Sequence, residues 1–146
     1  MWLAEHGWRV TAFDGAAAAI EILHNRAAQR SLHVDIRVVN LEKANLENGE
    51  YRIGPAQWDL VVIAYYLQRD LFEPAKRGVK PGGLLLAIVH IPESDEQPTR
   101  YSLAPGELRR YFDGWEILHS YEGKPADAAH RRAVAEIVAR RPIESL

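Results

Sequence analysis

The chain has 146 residues, of which 47% are hydrophobic and 26% are charged, and its net charge is −2. These values are typical of one packed, soluble domain spanning residues 1–146, and they exclude a disordered chain. The nearly balanced charge offers no basic surface to nucleic acid or to an anionic membrane, so we expect neither partner.

Cysteine is absent from the sequence. Disulfides, thiolate zinc sites and cysteine nucleophiles are therefore excluded, and a reducing compartment fits. The longest apolar runs are too short to span a bilayer, and the N-terminus lacks the basic region of a signal peptide. We expect a cytoplasmic protein.

The N-terminal third of the sequence predicts alternating helices and strands. Residues 2–6 look like the end of a helix that stops at Gly7, and residues 8–13 form an apolar strand. A helix is predicted over residues 16–30 from its apolar spacing, and a second strand over residues 34–39.

The middle of the sequence holds two strongly apolar runs. A polar loop covers residues 41–57, and the run WDLVVIAYYL that follows is typical of a parallel strand covered on both faces. A helix is predicted over residues 67–78, then a tight turn at Lys-Pro-Gly-Gly (80–83) and a fully buried strand, LLLAIVHI.

The C-terminal third predicts a closing hairpin. After the polar loop at 92–100 and a short helix at 105–111, WEILHSY and RRAVAEIVARR read as two strands. The whole succession predicts an α/β fold with a mostly parallel sheet and a C-terminal antiparallel hairpin.

The order of these segments resembles a known family. A strand ending in aspartate (VTAFD), a strand ending in Asn-Leu-Glu, WDLVVIAYYLQRDLF, VKPGGLLLAIVH and the closing hairpin are together similar to the class I S-adenosylmethionine-dependent methyltransferases. Within that family the chain resembles the small-molecule branch that includes tellurite-resistance-type enzymes. The resemblance implies a Rossmann-like sheet with helices on both faces, S-adenosylmethionine as cofactor and a small-molecule methyl acceptor.

One part of the family pattern is missing. The family's first, central strand and its glycine-rich GxGxG loop have no counterpart in this sequence. Strands pair at about 4.8 Å, so removing a central strand leaves unpaired backbone groups on both sides. We expect one of three outcomes: a longer natural chain, a sheet that closes up, or strand exchange that makes the chain self-associate.

Asp14 and Gly15 are the first candidate cofactor residues. An aspartate at the carboxyl end of a strand can accept hydrogen bonds from both hydroxyls of a ribose, although capping the following helix is the simpler role. Gly15 beside it either permits close approach of the adenine ring or only eases the turn.

Asn40 and Leu41 follow the second strand, where the family usually places an acidic residue near the adenine amino group. The amide of Asn40 can accept from that group and donate to a ring nitrogen, and a role as turn former is an equal alternative. Glu42 is interpreted as a solvated charge.

Ala64, Tyr65 and Tyr66 end the WDLVVI strand, at the edge where the resemblance places cofactor and acceptor. We assign Ala64 and Tyr65 to the cofactor site and expect that one of the two tyrosines lines the site while the other packs. His90 ends the next strand, where an imidazole could take a proton, but a hydrogen-bonded structural histidine is favoured. The other histidines show no metal-binding spacing, so no metal site is expected.

Three functions stay open from the sequence. The leading hypothesis is methyl transfer from S-adenosylmethionine to a small molecule, with activity of this form in doubt because the glycine loop is missing. The second is a non-catalytic paralogue or interaction module, and the third is a nicotinamide-dependent Rossmann oxidoreductase. No Walker loop or G-x-S-x-G elbow occurs, which removes phosphoryl transfer and serine hydrolysis.

Overall fold

The computed structural model describes residues 1–42, 52–93 and 96–143. Its chain divides into two compact units, Met1–Arg52 and Ile53–Leu146, and each is described by itself. Most of the loop predicted at 41–57, and residues 94–95 of the loop predicted at 92–100, lie outside the described residues. The expectation of one domain stays a prediction.

The first unit is a β-α-β element preceded by one helical turn. Its elements are α1 (Trp2–Glu5), β1 (Val10–Asp14), α2 (Ala17–Gln29) and β2 (Val34–Val38). Gly7 ends α1 with a φ of 84°, as predicted, and the amide of Trp8 donates to the carbonyl of Leu3 across it. Strands β1 and β2 are parallel, with Asp14 opposite Val38.

Strand β1 has one hydrogen-bonded neighbour among the described strands. That neighbour is β2, and together they make a two-stranded sheet. The strand Trp58–Ala64, named β3, belongs to a separate four-stranded sheet. Of the three outcomes expected from the absent strand, closure by direct pairing of β1 with β3 is therefore not what the described residues show.

The second unit is a four-stranded mixed sheet. After β3 come a 3-10 turn (Arg69–Leu71), α3 (Phe72–Gly78), β4 (Val79–His90), α4 (Glu107–Arg110), β5 (Glu116–Gly123) and β6 (Val134–Arg140). The strand order is β3-β4-β6-β5, with β3 and β4 parallel and the last two contacts antiparallel. The mixed α/β, Rossmann-like fold and the C-terminal hairpin are thus confirmed.

The tight turn predicted at Lys-Pro-Gly-Gly is instead an irregular part of β4. Val79 pairs with Trp58 and Leu84 pairs with Leu60, so the four residues between bulge out of the ladder. A Cβ on Gly83 would lie 2.9 Å from the Asp59 carbonyl oxygen, so only glycine fits there. The four residues are typical of a tight turn, but β4 pairs with β3 both before and after them.

Two predicted helices are shorter than expected. The segment at 67–78 begins as a 3-10 turn at Arg69, because Gln68 has an extended backbone with φ at −140°. The helix at 105–111 is limited to Glu107–Arg110 because Gly106 just before it has a φ of 75°.

The core of the second unit lies around β4 and β6. The largest fully buried side chains there are those of Phe72, Phe112, Leu85, Leu103, Leu108 and Ile137. β4 buries one face fully, and its other face is half-buried. β3 is less covered than its apolar sequence predicts, since Val62 is 45% exposed. No helix in the described part of the chain is both long and apolar enough to cross a membrane.

An ion pair joins the 3-10 turn to α4. Arg69 Nε donates to Glu107 Oε1 at 2.6 Å, and a second guanidinium nitrogen donates to Oε2 at 3.1 Å. Glu107 Oε2 also accepts from the amide of Ala104 at 2.8 Å. The hydrogen bond from Arg69 lowers the pKa of Glu107, with help from the Ala104 amide against desolvation. The pair therefore fixes the segment that leads away from the end of β3.

Candidate functional site

Asp14 is the last residue of β1, and its side chain is exposed. One of its two carboxylate oxygens is held in place by a hydrogen bond. Oδ1 accepts from the amide of Ala16 at 2.8 Å, which closes a turn onto α2. The N-cap position of α2 is Ala16 itself, without a side-chain cap. Asp14 is therefore not the N-cap residue that the simpler interpretation required. Its Oδ2 has no hydrogen-bond partner among the residues that the structure describes.

Gly15 follows Asp14 in the same turn. Its φ is not positive, and an added Cβ would meet only the carbonyl oxygen of Val39, at 3.6 Å. That is an ordinary van der Waals distance, so the backbone does not demand glycine here. The position is open enough for another molecule to approach the main chain.

Asn40 lies at the same edge of the first sheet as Asp14. The amide of Val39 donates to the carbonyl of Asp14 at 3.0 Å, which keeps the ends of β1 and β2 together. Asn40 Oδ1 accepts from the amide of Glu42 at 3.0 Å, so it is a turn former as one interpretation had it. Leu41 between them is half-buried, and Glu42 is exposed. Within the described residues, the side-chain amide nitrogen of Asn40 has no hydrogen-bond acceptor.

The second unit holds the other candidates, at the carboxyl ends of β3 and β4. Ala64 is the last residue of β3, and Tyr65 directly after it has a φ of 55°. A left-handed tyrosine costs of the order of 1–3 kcal/mol, and such residues cluster at functional sites. The Tyr65 amide still donates to the Ile88 carbonyl at 2.7 Å. The left-handed residue thus turns the chain abruptly out of the sheet while the last ladder bond is kept.

The ring of Tyr65 lies in contact with two imidazoles. It stacks on His130 with centroids 4.4 Å apart and planes within 3°, and it lies 5.6 Å from His90. Partial burial raises the pKa of Tyr65, and the charges of Asp127 and Glu136 add to the shift. The phenol therefore stays protonated at neutral pH. The side chain of Tyr65 therefore lies among polar groups: two imidazoles beside its ring and two carboxylates whose charges act on its hydroxyl.

Tyr66 behaves differently from its neighbour. Its hydroxyl donates to Gln68 Oε1 at 2.7 Å, within the segment that leads to the 3-10 turn. Both tyrosines are about equally exposed. The expected division between a site-lining and a packing tyrosine therefore favours Tyr65 for the first role.

His90 is not the hydrogen-bonded structural histidine that was favoured. Its Nδ1 is buried and has no hydrogen-bond partner among the described residues. Buried polar atoms without a partner are uncommon and call for an explanation. His90 lies opposite Val134 of β6, so its position on the edge of the sheet is well fixed.

His130 and Asp127 were missed as candidates because the sequence was searched only for metal-ligand spacing. His130 Nδ1 is 3.2 Å from Asp127 Oδ2, and Asp127 Oδ1 accepts from the Ala129 amide at 2.9 Å. Both hydrogen bonds lower the pKa of Asp127, that from Ala129 more than that from His130. The Asp-Ala-Ala-His spacing in a loop is the signal that could have found the pair. No cluster of three or more potential metal ligands occurs within the described residues.

Comparisons with known proteins bear on both units. The family model described as tellurite resistance protein TehB matches residues 1–132. Among solved structures, TehB from Haemophilus influenzae superimposes with a TM-score of 0.75 at 22% identity, covering 96% of this chain and 52% of that protein. The chain thus spans about half the length of that relative. No curated protein sequence matches significantly.

Two further solved structures share the fold. A SAM-dependent methyltransferase from Methanosarcina mazei has a TM-score of 0.70 at 16% identity, with 98% of this chain and 86% of that one covered. The N-methyltransferase NodS from Bradyrhizobium japonicum has a TM-score of 0.67 at 18% identity, with 97% and 78% covered. At these identities the likeness establishes the fold, while the match to the family model establishes the relationship.

Proposed function

The chain belongs to the tellurite resistance protein TehB family, and from that premise we propose that it serves S-adenosylmethionine-dependent methyl transfer to a small-molecule acceptor. The family match and the methyltransferase-type fold support this reaction. The nicotinamide alternative has no comparable support. The acceptor and the activity of this form belong to the proposal, because the chain spans about half of its H. influenzae relative.

The observation that carries the proposal is the geometry of Asp14. Its carboxylate stands exposed at the carboxyl end of a parallel strand, with Oδ1 fixed by Ala16 and Oδ2 unpartnered in the described part of the chain. A ribose diol needs such an oriented acceptor at this position of an open α/β sheet. The residues therefore fit the adenosine part of the cofactor.

The other residues of the first unit complete the assignment. The open space at Gly15 admits the approach of a ring, and Asn40 keeps amide hydrogens to donate to a ring nitrogen of adenine. Leu41 supplies a half-buried apolar contact. These residues are assigned to the adenosine half of the cofactor.

In the second unit, Ala64 and Tyr65 are assigned to the place where the methyl group meets its acceptor. The cofactor, when bound, supplies an electrophilic methyl on a sulfonium. The residues of this chain contribute alignment and the exclusion of water, which suffice to accelerate such a displacement. The rigid turn at Tyr65 suits this task because it holds the ring against the sheet end.

Calorimetric titration tests the proposal. We expect S-adenosylmethionine to bind, reduced nicotinamide cofactor to give no heat, and Asp14→Ala to weaken binding about tenfold or more, as loss of a charged hydrogen bond implies. Asp35→Ala is the matched control, because Asp35 is another exposed carboxylate of the first unit and accepts hydrogen bonds from the nearby Arg37. Absence of binding by the wild-type chain would favour the non-catalytic module, and a nicotinamide signal would favour the oxidoreductase.

A further inference from the structure

One loop of the second unit crosses the carboxyl edge of the four-stranded sheet. Gly123 pairs with Val134, so β5 and β6 are joined by residues 124–133, which contain no helix or strand. Because β6 is antiparallel to β4, this loop lies at the edge where β3 and β4 end. β6 and β3 are two strand spacings of about 4.8 Å apart, and the contact of His130 with Tyr65 bridges them. The loop therefore spans the end of β4.

Both ends of this loop are fixed. The amide of Ala133 donates to Glu93 Oε1 at 3.0 Å, and Nζ of Lys124 lies 3.6 Å from Oε2 of the same carboxylate. The Tyr121 hydroxyl donates to the carbonyl of Lys124 at 2.6 Å. Ala133 is buried, whereas most of the residues between the two ends are exposed. The loop is therefore anchored at its ends and open to water along its middle.

Two polar or aromatic contacts are described between the middle of the loop and the rest of the second unit. His130 stacks on Tyr65 with ring centroids 4.4 Å apart and planes within 3°, and Arg132 lies 3.8 Å from Glu96. The ion pair is exposed and long, so it contributes little to stability. His130 Nδ1 also lies 3.2 Å from Asp127 Oδ2, a contact inside the loop that orients the imidazole. The ring stack is thus the main described contact that holds the middle of the loop down.

The ring beneath the loop stands on a fixed piece of backbone. Tyr65 has a φ of 55°, and its amide donates to the Ile88 carbonyl at 2.7 Å. An exposed segment held by one stack opens at a low free energy, whereas a residue tied into the sheet does not. We therefore expect the loop to move against a stationary Tyr65.

We propose that residues 124–133 are a lid over the ring of Tyr65, that His130 is the latch that holds it closed, and that the lid opens to let the methyl acceptor reach the ring face that the imidazole covers. This inference rests on the proposed methyl transfer, which assigns Ala64 and Tyr65 to the place of the acceptor. All parts of the lid and its anchors belong to the second unit. A lid that closes after the acceptor has entered would exclude water from the reaction.

Pulsed electron paramagnetic resonance between two spin labels follows the lid directly. The sequence contains no cysteine, so Ala128→Cys in the lid and Arg109→Cys in α4 provide the only two thiols, both at exposed positions. With no further substitution, the labelled chain should show one main distance. Tyr65→Asn removes the ring and introduces a residue that tolerates left-handed backbone. We expect it to raise the ratio of open to closed lid about two- to twelvefold, as loss of an aromatic pair implies.

Three further variants separate the latch from a general loosening of the chain. Tyr65→Phe keeps the stack and should keep the closed distance. His130→Ala removes the other ring of the stack and should open the lid as Tyr65→Asn does, and it decides the question if Tyr65→Asn fails to fold. Tyr101→Asn is the matched control, because Tyr101 is an exposed tyrosine of the same unit whose ring lies under Arg100. The proposal fails if neither latch variant changes the distance, or if Tyr101→Asn changes it equally.

Access to the ring of Tyr65 is measured on the unlabelled chain. Photochemically induced nuclear polarisation with flavin mononucleotide enhances the signals of tyrosine rings that the dye can reach. We expect a stronger Tyr65 signal in His130→Ala than in the wild type, with the Tyr101 signal the same in both. An equal Tyr65 signal would overturn the lid as a gate. Neither measurement uses S-adenosylmethionine, so a wild-type chain that does not bind it would overturn the methyl transfer and leave the lid in place.

Discussion

The two units of the chain differ in how much core each contains. Among the described residues of the first unit, the buried apolar side chains are those of Ile20 and Ala27, whereas the other buried apolar residues that the structure describes belong to the second. A two-stranded sheet with so little covered surface is only marginally stable by itself. The residues assigned to adenosine therefore belong to the weakly stabilised unit. Cofactor binding should then have its largest effect on the stability of the first unit.

The largest expected difference between the units is in the cost of truncating an apolar side chain. Leu85 in β4 is fully buried, so Leu85→Ala should lower the free energy of unfolding by about 2–5 kcal/mol. Ile22 in α2 is 54% exposed, so Ile22→Ala should cost less than about 0.5 kcal/mol. Chemical denaturation followed by circular dichroism measures both. Equal losses would show that Ile22 contributes as much packing as Leu85 and would contradict its exposed position.

A smaller effect is expected from the ion pair of the second unit. Removing the charge with Glu107→Gln should cost about 1–2 kcal/mol at neutral pH, since Arg69 is partly exposed and screened by water. Asp59→Asn removes a more exposed carboxylate, which pairs with Lys80, and should cost less than about 0.5 kcal/mol.

The same pair predicts a pH dependence. The pKa of Glu107 is lowered in the folded chain from its ordinary value of 4.5. Its contribution to stability is therefore complete above that value and is lost as the pH falls through the lower, folded pKa. The gap in unfolding free energy between the wild type and Glu107→Gln should shrink as the pH drops below 4.5. A gap that does not change with pH would contradict the ion pair.

A small effect on stability, of the opposite sign, is expected at Gly15. Gly15→Ala should leave the fold intact or stabilise it by about 0.4–1 kcal/mol, because the added Cβ has room and the unfolded chain loses freedom. The same methyl group should weaken S-adenosylmethionine binding if the adenine ring approaches this backbone. Thermal unfolding and calorimetry on one preparation test both parts, and unchanged affinity would remove Gly15 from the site.

The sequence predicted those features that depend on residues close together in the sequence. Apolar runs located each strand that the structure describes, and Gly7 and the Asn40 turn follow from local backbone chemistry. The bulge at Gly83 was not predicted, because continuation of the ladder depends on the pairing of Trp58 and Leu60 with residues of β4. The contact of Tyr65 with His130 was missed for the same reason, since only the order of strands brings those residues together.

Amide hydrogen exchange with and without S-adenosylmethionine tests the central claim most directly. In the free chain, amides of β1, α2 and β2 should exchange faster than those of β4 and β6, because the first unit opens at lower cost. Cofactor at about tenfold its wild-type Kd should slow exchange chiefly in the first unit, and clearly less in Asp14→Ala, because a tenfold weaker site is only about half occupied at that concentration. Protection that is absent, or that is the same in both chains, would contradict a cofactor site built on Asp14.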